Sequence, residues 1–275
     1  MARFNLGITD VRKITGALTE KGYPDFAGYA LMSLKLSLEK IISNHGFKES
    51  GAMVSRIYSD DNFTDSLIDE LSVETTEMFR DPSMWRLLRE RIFPGIFGTG
   101  DKIKFWLPGS VSSEDLVSLI ILLKESDLTT RSAIILTSLS GKSLDNIASG
   151  VFRSSKMEVS EANYTKFQGK GELSEYMVKE GGKFFWNKNL FSEVTFSLGK
   201  SHLEASATCV NCIIFRDKMI YMNLTLSNKM LDVICRSLSG GGYFIIGSGE
   251  SLTHTLFDKH FSQVDQNEKI YQKIR

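Results

Sequence analysis

Apolar residues recur every three or four positions through roughly the first third of the chain, and this pattern predicts helices there. Ile8, Val11, Ile14 and Leu18 fall on one helical face, and Gly22, Tyr23 and Pro24 end that helix. A second helix is expected from Phe26 to about Asn44, carrying Leu31, Leu34, Leu38, Ile41 and Ile42, and a third over Asp65 to Leu71. In SVETTEMFRDPSMWRLLRERIFP, Pro82 suits the first position of a helix that should end near Phe93 and Pro94.

The pattern changes after GIFGTGD. IKFWL is a short run of apolar and aromatic residues before Pro108 and Gly109 and predicts a strand; SSEDLVSLIILLKES predicts a helix. Ser112 or Ser113 is placed to cap that helix, and Glu114 and Asp115 suit its first turn, where the dipole favours acids. SAIILTS predicts a second strand and KSLDNIASGVF a second helix, so Lys102 to Phe152 alternates as a parallel sheet requires. The polar stretch from Met157 to Glu193, with Gly169, Gly171, Gly181 and Gly182, suits a small antiparallel excursion better than another crossover. EVTFSL, CVNCIIF, a helix over Ser227 to Leu238, and GYFIIGS restore the alternation, and KIYQKI is expected as a last edge strand.

Composition narrows the function classes. The chain has 275 residues, 42% hydrophobic and 24% charged, which suits a globular protein and excludes a disordered one. Lys plus Arg and Asp plus Glu number 33 each, which argues against nucleic-acid binding driven by bulk charge. The longest apolar run, Leu116 to Leu123, is far short of the roughly 20 residues that span a bilayer, and MARFNLGITDVRKITG lacks the apolar core of a signal peptide. A cytoplasmic location without membrane insertion, with three reduced cysteines, is therefore the expectation. Cys209 and Cys212 have no second pair or histidines at ligand spacing, and their sulfurs should diverge on a strand, so no metal is expected. His45, His202, His254 and His260 are scattered, with no nucleophile in a recognisable turn.

Open α/β sheets bind ligands at the carboxyl ends of their strands, where strand order reverses. In nucleotide-binding versions the first strand ends in a glycine-rich turn and the second in an acid that takes the ribose hydroxyls. Here the first strand ends in Pro108, Gly109, Ser110, Val111, Ser112, Ser113, and the second in Thr137 and Ser138. Spacing alone leaves both an altered cofactor site and ordinary tight turns open.

Several segments carry a resemblance to a known family. DFAGYALMSLKL from Asp25, TEMFRDPSMWRLLRERIFP from Thr76, WLPGSVSSEDLVSLIILL, FRDKMIYMN from Phe215, GGGYFIIGSGESL from Gly240 and EKIYQKI from Glu268 fall in the order and spacing of the CheR family. These chemotaxis-receptor methyltransferases move a methyl group from S-adenosylmethionine (SAM) to receptor glutamates. The resemblance implies an α/β fold with a small N-terminal helical domain (residues 1–95) and a Rossmann-like SAM-methyltransferase domain (96–275). That second domain would carry an inserted small antiparallel β-subdomain at 157–193.

It also implies site residues. Thr76 and Arg80 match a threonine and an arginine that close over the cofactor. Arg80 then meets the methionine carboxylate or orients the acceptor; the alternative is a surface ion pair with Glu77 or Asp81. Gly109 and Glu114 match the glycine motif, Glu114 being equally explained as a helix-start acid. Arg216 and Tyr221 match the late motif, the tyrosine lying near the transferred methyl or serving as a half-buried strand residue. Glu74, Ser113, Ser138, Lys200 and Asp217 stand where the family has asparagine, glycine, aspartate, asparagine and asparagine. Losing the ribose carboxylate removes two charge-assisted hydrogen bonds, roughly 3 kcal/mol or about a hundredfold in affinity. Ser33, Leu34, Lys35, Leu36, Ser37 and Leu38 lack the paired arginines that face acidic receptor helices. The expected partner is a signalling or chemoreceptor-like protein docking on the N-terminal helices and the β-subdomain. An impaired methyltransferase, an inactive scaffold and a binder of another small anionic ligand at Lys200 and Ser138 are the three functional readings.

Overall fold

The computed structural model describes residues 5–23, 26–71, 77–98, 102–110, 112–152, 156–199 and 207–274. Four amphipathic helices come first: α1 (Ile8–Glu20), α2 (Leu31–Asn44), α3 (Ser50–Ser59) and α4 (Asp61–Leu71). Val11, Ile14, Leu18, Leu34, Leu38, Ile42, Met53, Ile57 and Leu67 close on one another as a core of their own. Ile8, expected on the buried face, is exposed at the helix start. The expected second helix begins only at Leu31, because Phe26–Gly28 form a separate 3₁₀ turn. α3 escapes a periodicity reading because its ten residues bury only Met53 and Ile57.

The segment after Asp81 runs as α5 (Pro82–Leu87), a π-helical turn (Leu88–Ile92) and α6 (Phe93–Phe97). It therefore continues past Pro94, where a stop is expected. Proline lacks the N–H that would bond the carbonyl of Glu90, and the wider π turn accommodates the missing donor. Met84, Trp85, Leu88, Ile92 and Phe93 pack into the cluster that covers one face of the central sheet.

That sheet has seven strands in the order β5-β2-β1-β6-β7-β9-β8. They are β1 (Ile103–Leu107), β2 (Ser132–Ser138), β5 (Val194–Leu198), β6 (Val210–Phe215), β7 (Leu238–Ile246), β8 (Phe261–Asp265) and β9 (Ile270–Lys273). The first five are parallel along the chain of pairings, and β9 and β8 close one side antiparallel. Strand order reverses between β1 and β6. The continuous apolar runs Phe105–Leu107 and Cys212–Phe215 are buried on both faces, as strands between two helical layers must be. α7 (Glu114–Glu125) is buried nearly all round within the cluster that covers this face of the sheet. α8 (Gly141–Ala148) packs on β2 and β5, and α10 (Leu224–Ser237) covers the opposite face with Met230, Leu231 and Ile234.

KIYQKI forms β9, which lies between β7 and β8 and is not an edge; the edge is β8, reached through a tight turn in which the Asp265 carboxylate accepts the Asn267 and Glu268 amides. The insertion is also more than an antiparallel excursion. It opens with an 11-residue helix, α9 (Met157–Phe167), before the hairpin β3 (Met177–Glu180) and β4 (Lys183–Trp186). α9 buries only Ser160, Tyr164 and Phe167, so its sequence reads as polar throughout.

Candidate functional site

The carboxyl ends of β1, β2 and β6 meet beside the reversal of strand order, the place where an open α/β sheet binds its ligand. Thr137, near the end of β2, shapes the turn after β1. Its carbonyl accepts the Ser110 amide at 2.8 Å, and its hydroxyl accepts Trp106 Nε1 at 3.2 Å and the Gly109 amide at 3.3 Å. Gly109 has φ +63°, a conformation that a side chain resists, so this one glycine does meet a backbone need.

Ser113, expected to cap α7 and standing where the resembled family has glycine, does something else. It is the cap residue by position, yet its side chain makes no cap bond. Its hydroxyl accepts Trp186 Nε1 at 3.2 Å and so ties the start of α7 to the end of the hairpin. Glu114 is buried in the first turn. Ser138 is buried at the tip of β2, where its hydroxyl accepts the Ser140 amide at 3.3 Å and thus faces its own turn.

Arg80 is presented by a tightly held loop. The Phe79 amide donates to Ser118 Oγ at 2.8 Å, the Met78 amide donates to Ser160 Oγ at 3.2 Å, and Asn163 Nδ2 donates to the Met78 carbonyl at 3.0 Å. Phe79 adopts φ +49° and Asp81 φ +54°, uncommon for non-glycine residues; the Phe79 ring, stacked 4.4 Å from Phe167, holds the first of these in place. Arg80 pairs with neither Glu77 nor Asp81, the two surface partners its neighbours suggest. Its Nη1 lies 3.5 Å from Asp217 Oδ2, while Glu77 pairs with Lys156 and Asp81 with Arg216.

Arg216, at the end of β6, is 2% exposed and held by Asp81 at 2.5 Å and by Asp115 at 3.1 Å. Burial opposes its charge, and Asp115, Asp81 and Asp217 together more than offset that, so its pKa lies above the ordinary arginine value. This guanidinium is committed to joining the Arg80 loop, α7 and β6. Tyr221 lies on a 3₁₀ turn, Met219–Tyr221, and not on a strand; it is exposed, and its carbonyl accepts the Ala30 amide at 2.7 Å. Thr76, Lys200 and Glu74 lie outside the described residues. The structure thus gathers Arg80, Gly109, Glu114, Ser138, Arg216 and Asp217 around the sheet's carboxyl edge, and it couples Arg80 directly to Asp217.

Two acids that spacing did not single out belong to this edge. Asp69, on α4, accepts hydroxyl hydrogen bonds from Ser140 and Ser143, so the helical unit delivers a carboxylate to the turn beyond β2. Glu250, after β7, is buried and accepts the amides of Asp217 (3.0 Å), Met219 (2.6 Å), Ile220 (3.3 Å) and Gly247 (2.6 Å). Burial raises its pKa, with the amide donors opposing that shift. It fixes the turn that carries Asp217 and Tyr221. Replacing it by glutamine swaps one accepting oxygen for an amide nitrogen and strands buried donors. Glu250→Gln is expected to cost about 1–3 kcal/mol in denaturant unfolding, with faster amide exchange at Met219 and Ile220. Unchanged stability and exchange would show the buckle to be dispensable.

Among the described residues no three His, Cys, Asp or Glu side chains gather in a metal-binding arrangement. Cys209 is exposed and Cys212 buried, where burial pushes its thiol up to about 12. Cys235 is half-buried on α10. Among the described residues no helix is long and apolar enough to cross a membrane.

The residues at this edge suit a SAM-type donor. Arg80 is a cation for a carboxylate, and Gly109 gives a close backbone turn before a helix start. The family described as "CheR methyltransferase, SAM binding domain" matches residues 74–270. The chain is 27% identical over 267 residues to a protein named methyltransferase Cher3 from Pseudomonas putida, covering 96% of each. It is 24% identical over 232 residues to the chemotaxis protein methyltransferase 1 of Pseudomonas aeruginosa, covering 79% of this chain and 81% of that one. The structure of N-methyltransferase NodS from Bradyrhizobium japonicum with S-adenosyl-L-homocysteine (SAH) aligns at 10% identity with a TM-score of 0.38, over 73% of this chain and 90% of that one.

Proposed function

The chain belongs to the CheR methyltransferase family, and from that premise we propose that it transfers a methyl group from SAM to glutamate side chains of a chemoreceptor-like signalling protein, with a weakened hold on the donor. SAM supplies an electrophilic methyl group; the protein's task is to place donor and acceptor carboxylate in line, which needs little acid–base help. Arg80 would take the methionine carboxylate. The Gly109 turn and the start of α7 would receive the middle of the donor, and Ser138 and its neighbours the ribose. Tyr221, exposed beside this edge, would line the approach of the acceptor. Arg216 acts as a positioning residue, because its guanidinium is spent on Asp81 and Asp115.

The observation that carries the reading is a half-exposed guanidinium, Arg80, held at the sheet's reversal point in a chain whose SAM-binding family match spans that whole edge. The proposed weakness rests on Ser138, whose hydroxyl faces inward, and on Asp217, which already engages Arg80. α2 and the β3–β4 hairpin are the proposed docking elements for the partner. The exposed Met32 and Leu36 of α2 make that face more apolar than an acidic helix calls for.

Titration calorimetry with SAM and SAH tests the donor reading, and absence of heat at millimolar ligand would refute it. That result would favour the scaffold reading, in which the fold serves only for partner binding. Ser138→Asp is expected to tighten SAH by about ten- to a hundredfold, the lower end applying if the Asp69 carboxylate beyond Ser140 opposes a second acid. Position 113 is a poorer target for the same purpose, since Ser113→Gly would leave Trp186 Nε1 without its acceptor.

A further inference from the structure

Two arginines stand at the carboxyl edge of the sheet, and their surroundings differ. Arg216 is buried and bound by two carboxylates, whereas the Arg80 side chain is 35% exposed and has Asp217 3.5 Å away. Asp217 is itself fixed. It adopts φ +56°, a left-handed conformation that aspartate and asparagine tolerate better than most residues. Its amide donates to Glu250, and its carboxylate packs so closely on the backbone of Gly247 that a Cβ there would come within 2.2 Å of Oδ1. The Asp217 side chain is 14% exposed, and these contacts hold it beside Arg80.

SAM has one anionic group, the carboxylate of its methionine half. We propose that Asp217 is a specificity-determining residue for the donor: it occupies the Arg80 guanidinium, so the amino-acid half of a donor ligand gains little at this site and the adenosine half provides most of the binding. The proposal rests on the donor reading given above and adds to it an internal competitor. Binding a full-length donor requires Arg80 to exchange one carboxylate for another. The exchange strips the partly buried Asp217 of its Arg80 pairing and leaves it only the field of Arg216, which Asp81 and Asp115 already engage, and that cost is subtracted from the affinity of any ligand that carries a carboxylate there. A nucleoside thioether without the amino-acid half is spared the cost.

Asp217→Asn keeps the shape and the left-handed backbone and removes the competing charge. The test is titration calorimetry of the full chain with SAH and with 5′-methylthioadenosine, which shares the nucleoside and lacks the carboxylate. In the wild-type protein SAH is expected to bind within about threefold of methylthioadenosine. In Asp217→Asn, SAH is expected to tighten by about tenfold while methylthioadenosine stays within about twofold. In an Arg80→Met background the substitution should no longer discriminate, because the group being competed for is gone.

Equal tightening of both ligands, or no change in SAH, overturns the role of Asp217 and leaves the donor reading standing. If neither ligand binds either protein at millimolar concentration, the donor reading fails and this inference with it. Persistence of the SAH gain in the Arg80→Met background also overturns it, because the effect would then not act through Arg80.

Discussion

Arg216→Met is expected to lower unfolding stability by about 3–5 kcal/mol and to remove measurable SAH binding. Arg216 is buried at the end of β6 and neutralises two carboxylates from distant parts of the chain, Asp81 before α5 and Asp115 in the first turn of α7. Methionine fills much of the volume and supplies no charge. Asp115, 17% exposed, and Asp81, 33% exposed, are then left close together with the positive charge gone. The partial exposure of both places the expected cost near the lower end of that range. Loss of binding follows from position. With the clamp gone the Arg80 loop loses its ion-pair tie to α7 and β6 and keeps only lesser ties such as Phe79 to Ser118 and Arg80 to Asp217, and small displacements of a positioning group weaken recognition steeply. Urea unfolding measures the first effect and calorimetry the second. Neutralising one acid as well, in Arg216→Met with Asp115→Asn, should recover part of the stability, because part of the cost is repulsion and stranded charge. A single variant as stable as wild type would show that the clamp contributes nothing net.

The second large effect belongs to Trp186. Its side chain is fully buried, sits edge-on to Phe152 at 5.0 Å between ring centres, and donates from Nε1 to Ser113. Its backbone amide donates to the Gly150 carbonyl at 2.7 Å. Trp186→Ala is expected to cost about 3–5 kcal/mol, most of it the lost burial and the cavity left behind. Trp186→Phe keeps most of the apolar contact and loses the bond to Ser113, so about 1–2 kcal/mol is expected for it. The hairpin should also become more open to proteolysis in the alanine variant, since Trp186 anchors it to the start of α7. A loss below about 1 kcal/mol in Trp186→Ala would mean that the hairpin is held chiefly by other contacts.

Much of the scaffold was legible because the signals are local. IKFWL and SAIILTS alternate with helical runs at crossover spacing, and β1, β2, α7 and β6 lie where those runs predict. The misses have equally local causes. α3 and α9 bury too few apolar residues to show a stripe, and the helix through Pro94 persists because a π turn absorbs the missing donor. β9 was expected at the edge because sequence shows that a strand exists there but not which neighbours it takes.

The site was legible only as an inventory. Gly109, Arg80, Glu114, Ser138, Arg216 and Asp217 were singled out by motif, and all of them gather at one edge. Their partners were not legible. Arg216 meets acids 101 and 135 positions away, Ser140 meets Asp69 71 positions away, and Glu250 holds a turn about 30 positions before it. No pattern of residues three or four apart encodes such pairings.

By itself the sequence determined the kinship, the alternation of strands and helices and the glycine at the cofactor turn, because periodicity, turn chemistry and motif order are properties of neighbouring residues. Only the tertiary structure decided which carboxylate each arginine meets, and with it that Arg216 clamps the fold while Arg80 is contested. Ion pairs between distant segments depend on loop geometry over a few ångströms, and that geometry is set only when the sheet and its flanking loops have packed.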